Sequence, residues 1–270
     1  MPELPEVESV LQCLTTSTPS LIGRQVCSVR ILRNSVVDGD ARSIAETLTG
    51  TVCSDVLRHG KYLFFKFQDP HSTKQSWVAL HLRMTGRLFL VPQQLAEDRH
   101  TRFVVLLDQG FALRFDDPRA FGRVWLVEDP CEVTEKLGPD ALLIQRKPFL
   151  DRLDGLRRQL KPLLLDQSFV AGVGNIYADE TLFRAKLHPL KLSSDLTTEE
   201  ANRLYDALHG VIAQAVRAKG ANIDGVFEAG SFPVAVYGRG GKPCSDCGTL
   251  VVKERLGQRG THFCPVCQSL

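Results

Sequence analysis

The sequence predicts an α+β chain in three parts: a strand-rich N-terminal domain built as a sandwich or flattened barrel, a helical second half, and a small cysteine-held ribbon. Three patterns point there. Short branched or aromatic runs fill residues 26–127, apolar residues recur at helical spacing from Leu150, and four of the eight cysteines form two tight pairs near the C-terminus.

The elements follow in order. Val7, Val10, Leu11 and Leu14 share one face of a short helix over Glu6 to Thr15. After Gly23 the pattern turns to β: Val26 to Ile31, Val52 to Val56, Tyr62 to Phe67 and Trp77 to Leu82, each bounded by turn residues. Phe103 to Leu107 and Phe111 to Phe115 flank Asp108-Gln-Gly110 as a hairpin, and Trp125 to Val127 ends the series. Pro130, Gly138, Pro139 and Pro148 then mark a boundary. The expected division is a strand domain over 2–129, a linker over 130–149, a helical domain over 150–232 and a ribbon over 233–270.

In the helical part Leu153, Leu156, Leu160, Leu163 and Leu164 share a face that Pro162 interrupts, with Arg157, Arg158 and Lys161 between them. Thr197 with Glu200 predicts a capping box ahead of a helix reaching about Lys219, whose buried stripe is Leu204, Leu208, Val211, Ile212 and Ala215. The glycine-rich stretch 220–232 reads as a mobile loop.

Composition narrows the function classes. The 270 residues are 43% hydrophobic and 24% charged, ordinary for a globular protein with room for two domains. Apolar runs such as Phe103 to Leu107 are too short to cross a bilayer. The N-terminus holds prolines and glutamates where an export signal would be basic and then apolar. The expectation is a cytoplasmic protein with no membrane partner. A net charge of +2 leaves any nucleic-acid surface to be local.

Chemistry concentrates first at Met1-Pro-Glu-Leu-Pro-Glu-Val-Glu8. Removal of Met1 leaves Pro2 as a free secondary amine, and α-amino groups titrate near ~8 against ~10.4 for lysine. A useful fraction is then neutral and adds to a carbonyl carbon, such as the aldehyde form of a sugar, to give a Schiff base. Glu3 stands beside it for proton transfer. Such acidic, proline-rich termini are also commonly just exposed, so this stretch alone leaves both readings open.

Three turns of the strand domain hold more functional residue types than a core needs. His59-Gly-Lys-Tyr62 offers Lys61, which also fits a solvated strand-edge lysine. His81-Leu-Arg-Met-Thr-Gly-Arg87 presents Met84, either a core gap-filler or an apolar wedge. Asp116-Asp-Pro-Arg-Ala-Phe-Gly122 sets Arg119 and Phe121 two apart. An apolar wedge with an arginine is equipped to enter a duplex and occupy an emptied base position. His100 adds a donor at the start of a strand.

In Val170-Ala-Gly-Val-Gly-Asn175 the glycines permit close backbone approach to a ligand, and the helix after them aims free N–H groups at an anion. Asn175 can cap that helix or hold a phosphate; the segment equally fits a turn between two helices. Cys244-Ser-Asp-Cys247 and Cys264-Pro-Val-Cys267, sixteen residues apart, have the spacing of two knuckles that give zinc four thiolates. In the cytoplasm paired cysteines mean metal more readily than disulfides, and a four-cysteine site is closed and therefore structural. No catalytic metal is expected. Lys253, Arg255 and Arg259 make the hairpin between the knuckles basic, with Arg259 on the tip side. Cys13, Cys27, Cys53 and Cys131 have no assigned role.

Taken together, these stretches resemble the bacterial formamidopyrimidine-DNA glycosylases, enzymes that remove oxidised purines from DNA and then cut the strand. The resemblance spans the chain, from Pro2-Glu-Leu-Pro-Glu-Val-Glu8 through Val170 to Glu180 to the ribbon. It implies a β-sandwich, a helix–two-turn–helix domain and a zinc ribbon, with damaged double-stranded DNA as partner and a monomer acting at the bacterial nucleoid. It implies Pro2 as the nucleophile at the sugar, Glu3 as its proton-transfer partner, Lys61 in the elimination, and Arg259 in the second elimination and phosphate binding. Met84, Arg119 and Phe121 match the trio that fills the gap left by a flipped nucleotide, while His100, Lys161, Asn175 and the weaker Arg157 match phosphate contacts. The stretch 220–230 departs from the Thr/Ser-rich lesion-covering loop of many relatives. The related endonuclease VIII group, which favours oxidised pyrimidines, and a non-catalytic zinc-ribbon DNA-binding protein are the alternatives.

Overall fold

In a computed structural model the described residues are 1–223 and 230–270, and they fall into two compact units. Residues 1–2 and 6–135 belong to the first. Residues 3–5, 136–222 and 230–270 belong to the second. Residues 224–229 of the predicted 220–232 loop lie outside the described residues; on either side of them the N–H of Phe232 bonds to the Gly220 carbonyl and that of Ser231 to the Ala218 carbonyl.

Helix α1 (Leu4–Thr15) buries Val7, Val10 and Leu14 in the core of the first unit. Strand β1 (Val26–Ile31), helix α2 (Ala41–Leu48) and strands β2 (Val52–His59), β3 (Tyr62–Gln68), β4 (Gln75–His81), β5 (Arg87–Pro92), β6 (Thr101–Leu107), β7 (Phe111–Asp116) and β8 (Arg123–Val127) follow. They form two four-stranded antiparallel sheets, β1-β6-β7-β5 and β2-β3-β4-β8. Phe103, Val105 and Phe115 of one sheet meet Leu63, Phe65 and Val78 of the other in one core, so the architecture is a sandwich.

Helix α2 and strand β5 escaped the sequence pattern. Helix α2 has only Ile44 and Leu48 buried, and its one start signal is Asp40, whose carboxylate accepts the N–H of Arg42 at 3.0 Å. Strand β5 lies at a sheet edge and ends in proline, which an edge tolerates.

The second unit begins inside the expected linker. After the short helix α3 (Cys131–Thr134), residues from 136 onward are already part of the helical core, with Ala141 and Ile144 buried. Helix α4 (Arg146–Leu153) and helix α5 (Leu160–Leu165) replace the single interrupted helix of the sequence reading. The break falls at Gly155, with φ of +70°, and not at Pro162. Pro162 lies in the first turn of α5, where its missing N–H has no intrahelical partner to lose. Helices α6 (Asn175–Ala185) and α7 (Thr198–Arg217) complete the bundle, the latter with both bonds of the Thr197–Glu200 capping box. Strands β9 (Val252–Leu256) and β10 (Arg259–Phe263) form the ribbon hairpin. Among the described residues no helix is long and apolar enough to cross a membrane.

Candidate active site and nucleic-acid interface

The second unit resolves what the glycine segment is for. The ligand that approaches its backbone is the chain's own Glu3. Its carboxylate accepts the N–H of Gly174 at 2.8 Å, of Ile176 at 3.0 Å and of Tyr177 at 3.4 Å, so it caps α6 as an anion at a helix N-terminus. A Cβ on Gly174 would stand 2.3 Å from the Glu3 carboxyl carbon. Gly172 has φ of +106°, and a Cβ there would stand 2.5 Å from Leu4. Both glycines are therefore demanded by residues 3 and 4, and the residue that follows Pro2 is held by several bonds at once.

Helix α6 carries a second set of ties to the ribbon. The Asn175 amide donates to the Gly260 carbonyl at 3.0 Å, and its own buried Oδ1 has no hydrogen-bond partner among the described residues. Asp179, fully buried, accepts the His262 N–H at 2.9 Å and pairs with Lys161 at 2.6 Å. Glu180 accepts the N–H groups of Ala235, Val236 and Tyr237. The Tyr-Ala-Asp-Glu run thus carries anchors that sequence reasoning passed over; two adjacent carboxylates on a helix with apolar neighbours were the available signal.

Lys161 differs from its expected place. The resemblance implies a phosphate contact, but Lys161 is 1% exposed, and its ammonium donates to the Gly260 carbonyl at 2.8 Å and the Thr261 hydroxyl at 2.7 Å besides pairing with Asp179. Burial pushes its pKa down and Asp179 opposes that shift. The lysine is an interior clamp between α5, α6 and β10, and the charges of Glu3 and Arg259 both act on it. Arg259 itself is exposed at the start of β10. Arg157 is exposed in the turn between α4 and α5, not on a helix.

In the ribbon the four cysteine sulfurs lie within 4.8 Å of one another. Cys244 to Cys267 is 3.9 Å and Cys247 to Cys264 is 3.4 Å, close to the roughly 3.8 Å edge of a tetrahedron with ~2.3 Å zinc–sulfur bonds. The N–H of Asp246 points at the Cys244 sulfur and that of Cys267 at the Cys264 sulfur, each at 3.4 Å, which stabilises thiolate charge. Phe183 of α6, Val236 and Val251 form the small apolar cluster around the site. Donor set and spacing fit zinc.

The first unit holds the other candidates. Pro2 is buried. Lys61 follows Gly60 in the two-residue turn joining β2 and β3, and is 7% exposed, not a solvated edge lysine. Arg58 braces that turn by donating to the Gly60 carbonyl at 3.0 Å and to Glu8 of α1 at 2.6 Å. The Met84 turn and the Arg119–Phe121 turn come together: Arg119 Nη1 lies 3.2 Å from Met84 Sδ, and its guanidinium lies 4.5 Å from the Phe121 ring centre. All three side chains are exposed. His100 is half-buried, with Arg99 and Arg102 within 3.1 Å of its ring nitrogens.

His81, which the sequence reading did not single out, is buried beside Lys61. Its Nδ1 accepts the N–H of Arg83 at 2.9 Å, and burial followed by the charges of Arg83 and Lys61 lowers its pKa to about 3. Between that value and the ordinary 6.5 the unfolded chain binds the extra proton, so stability of this unit rises with pH and is lost as pH falls below 6.5. The expected slope approaches about 1.4 kcal/mol per pH unit. Both tryptophans, Trp77 and Trp125, lie in this unit and report its urea unfolding by fluorescence. His81→Gln should flatten the pH dependence between about pH 6.5 and pH 4; an unchanged slope would assign the effect elsewhere.

Comparison with known proteins gives a consistent picture. Residues 1–124 match the formamidopyrimidine-DNA glycosylase N-terminal domain, residues 137–225 the formamidopyrimidine-DNA glycosylase H2TH domain, and residues 241–270 the zinc finger found in FPG and IleRS. The formamidopyrimidine-DNA glycosylase of Pelotomaculum thermopropionicum is 38% identical and that of Herpetosiphon aurantiacus 39%, each over all of both chains. Among solved structures, the wild-type Lactococcus lactis Fpg (MutM) with DNA containing N7-benzyl-Fapy-dG superposes with a TM-score of 0.90 at 31% identity, covering all of both chains. The same enzyme with abasic-site DNA also gives 0.90 at 31% identity, covering 99% of this chain and 100% of that one.

Proposed function

This chain belongs to the formamidopyrimidine-DNA glycosylase family, and from that membership and the two assemblies above we infer a base-excision enzyme that removes oxidised purines from duplex DNA and cuts the strand at the resulting sugar. One structural zinc ion held by Cys244, Cys247, Cys264 and Cys267 stabilises the ribbon. The domain scheme proposed is a catalytic domain over 2–129, a linker over 130–149 whose residues from 136 pack with the helical core, a DNA-binding domain over 150–232 and a ribbon over 233–270. The setting is the cytoplasm, at nucleoid DNA.

The chemistry uses the free amine of Pro2. Its lone pair forms the bond to the sugar C1′ as the bond to the damaged base breaks, and the base leaves with that electron pair and takes up a proton. Opening of the sugar ring then leaves an iminium on Pro2, and Glu3 moves the protons at the ring oxygen and the amine. The iminium acidifies the 2′ hydrogen, so the 3′ phosphate leaves by elimination with Lys61 assisting, and a second elimination releases the 5′ phosphate near Arg259. Asn175 and His100 hold phosphates, and Arg157 is a weaker candidate for the same work. Lys161 supports this surface from inside, through Gly260 and Asp179. Met84, Arg119 and Phe121 fill the space of the extruded nucleotide.

The observation that carries this reading is the docking of Glu3 on the α6 N-terminus, which fixes the residue after Pro2 against two glycines that leave room for residues 3 and 4. Borohydride trapping of the untagged protein on duplexes holding 8-oxoguanine, an oxidised pyrimidine or a bare abasic site tests it. The expected result is a covalent adduct that maps to Pro2 and forms best on 8-oxoguanine. Best trapping on the pyrimidine would favour the endonuclease VIII-like specificity, and intact binding with no adduct would leave a non-catalytic binder.

A further inference from the structure

We propose that Asp117 is a positioning residue that assembles the void-filling wedge from two separate turns. The inference rests on the reading of Met84, Arg119 and Phe121 given above and names what holds that trio together. Asp117 is fully buried just after β7. Its Oδ1 accepts the hydroxyl of Thr85 and the N–H of Arg119, the latter at 3.2 Å, while its Oδ2 accepts the N–H of Gly122 at 2.8 Å. Thr85 follows Met84, and Arg119 and Gly122 bracket Phe121. One carboxylate therefore bonds to both turns.

Packing beneath the carboxylate reinforces the link. Phe115, with no exposed surface, fills the space under both turns: a Cβ on Gly86 would stand 2.8 Å from its ring and one on Gly122 would stand 2.3 Å from it. Each turn also holds a non-glycine residue in the left-handed region, Arg83 at φ 57° beside Met84 and Ala120 at φ 53° between Arg119 and Phe121. Side chains persist there when the surroundings over-determine the backbone. Bonds from a shared buried acceptor supply that determination. Asp117 reaches further through its backbone, donating its N–H to the His100 carbonyl at 2.9 Å and accepting from Arg102 at 2.8 Å.

The consequence is a wedge ordered before DNA arrives. Side chains on two independently moving turns would lose conformational freedom at every encounter, and preorganisation removes that cost from binding. Asp117 should then govern the step in which the nucleotide leaves the stack. The sugar chemistry, which needs no wedge, should not depend on it.

Single-turnover kinetics on two substrates test this: excision of 8-oxoguanine from a duplex, and cleavage of a single-stranded oligonucleotide at an abasic site, where no base stack has to be filled. Asp117→Asn keeps the shape and loses the charge, Thr85→Val loses only the hydroxyl, and Thr85→Ser keeps it. Asp117→Asn and Thr85→Val are expected to slow duplex excision about ten- to a hundredfold and leave single-strand cleavage within about twofold. Thr85→Ser should restore the duplex rate. In a Met84→Ala background Thr85→Val should add little, since the wedge is already broken. Equal slowing on both substrates, or an unchanged duplex rate, would overturn the proposal. If Asp117→Asn does not fold, the Thr85 pair decides. A wild-type protein inactive on both substrates would instead remove the enzymatic reading on which the proposal rests.

Discussion

Protein that retains Met1, or carries any extension before Pro2, is expected to lose borohydride trapping and strand cleavage on the order of a thousandfold or more, with duplex affinity within about twofold of the processed form. The reason is electronic. An acylated proline nitrogen is a tertiary amide whose lone pair is delocalised into the carbonyl, so it neither attacks C1′ nor forms an iminium. Geometry adds to this, because Pro2 is buried and the next residue is bonded to the α6 N-terminus, which leaves the terminus no freedom to present another amine. Binding should survive, since the wedge and the phosphate-contacting candidates lie elsewhere in the chain. The comparison needs one preparation with Met1 removed and one with a tag kept on, assayed side by side on an abasic duplex, with filter binding at fixed salt as the control. Full activity in the tagged protein would take Pro2 out of the mechanism.

The sequence displayed chemistry and long periodic elements well, and long-range partnership poorly. The runs of β3, β4, β6 and β7 are legible because each is short, rich in branched or aromatic residues and bounded by turn residues. Helix α2 was not, because two buried residues make no stripe. Gly172 and Gly174 signalled close approach, but the approaching group lay about 170 residues away in Glu3, and no local pattern joins them. Lys161 shows the same limit. Among Arg157 and Arg158 it looks like one more surface cation, and only the fold places Asp179 and Thr261 around it. The zinc cysteines were legible for the opposite reason: four ligands at knuckle spacing carry their geometry in the sequence. Asp117 was visible only as part of a turn motif, since what it bonds to depends on two loops meeting.

Gly174→Ala is expected to damage both stability and catalysis through Glu3, and the two losses can be separated. A Cβ at this site overlaps the Glu3 carboxyl carbon at 2.3 Å, so the carboxylate must leave the α6 N-terminus. Loss of a capping anion with several N–H bonds should destabilise the second unit by about 1–3 kcal/mol. Displacing the proton-transfer group from the reacting sugar should slow base release about a hundredfold or more. Glu3→Gln should keep the side chain in place and stay folded, yet lose most base release, which isolates the chemical part. The structural part is isolated by a double change. If the clash is with Glu3, Gly174→Ala/Glu3→Ala should be no less stable than Glu3→Ala alone, because the overlapping atoms are gone. Thermal unfolding of the four proteins, read together with single-turnover base release, makes the cycle complete. Simple additivity of the two substitutions would show that Gly174 is required for something other than Glu3, and would break the link drawn here between the start of the chain and the helix that holds it.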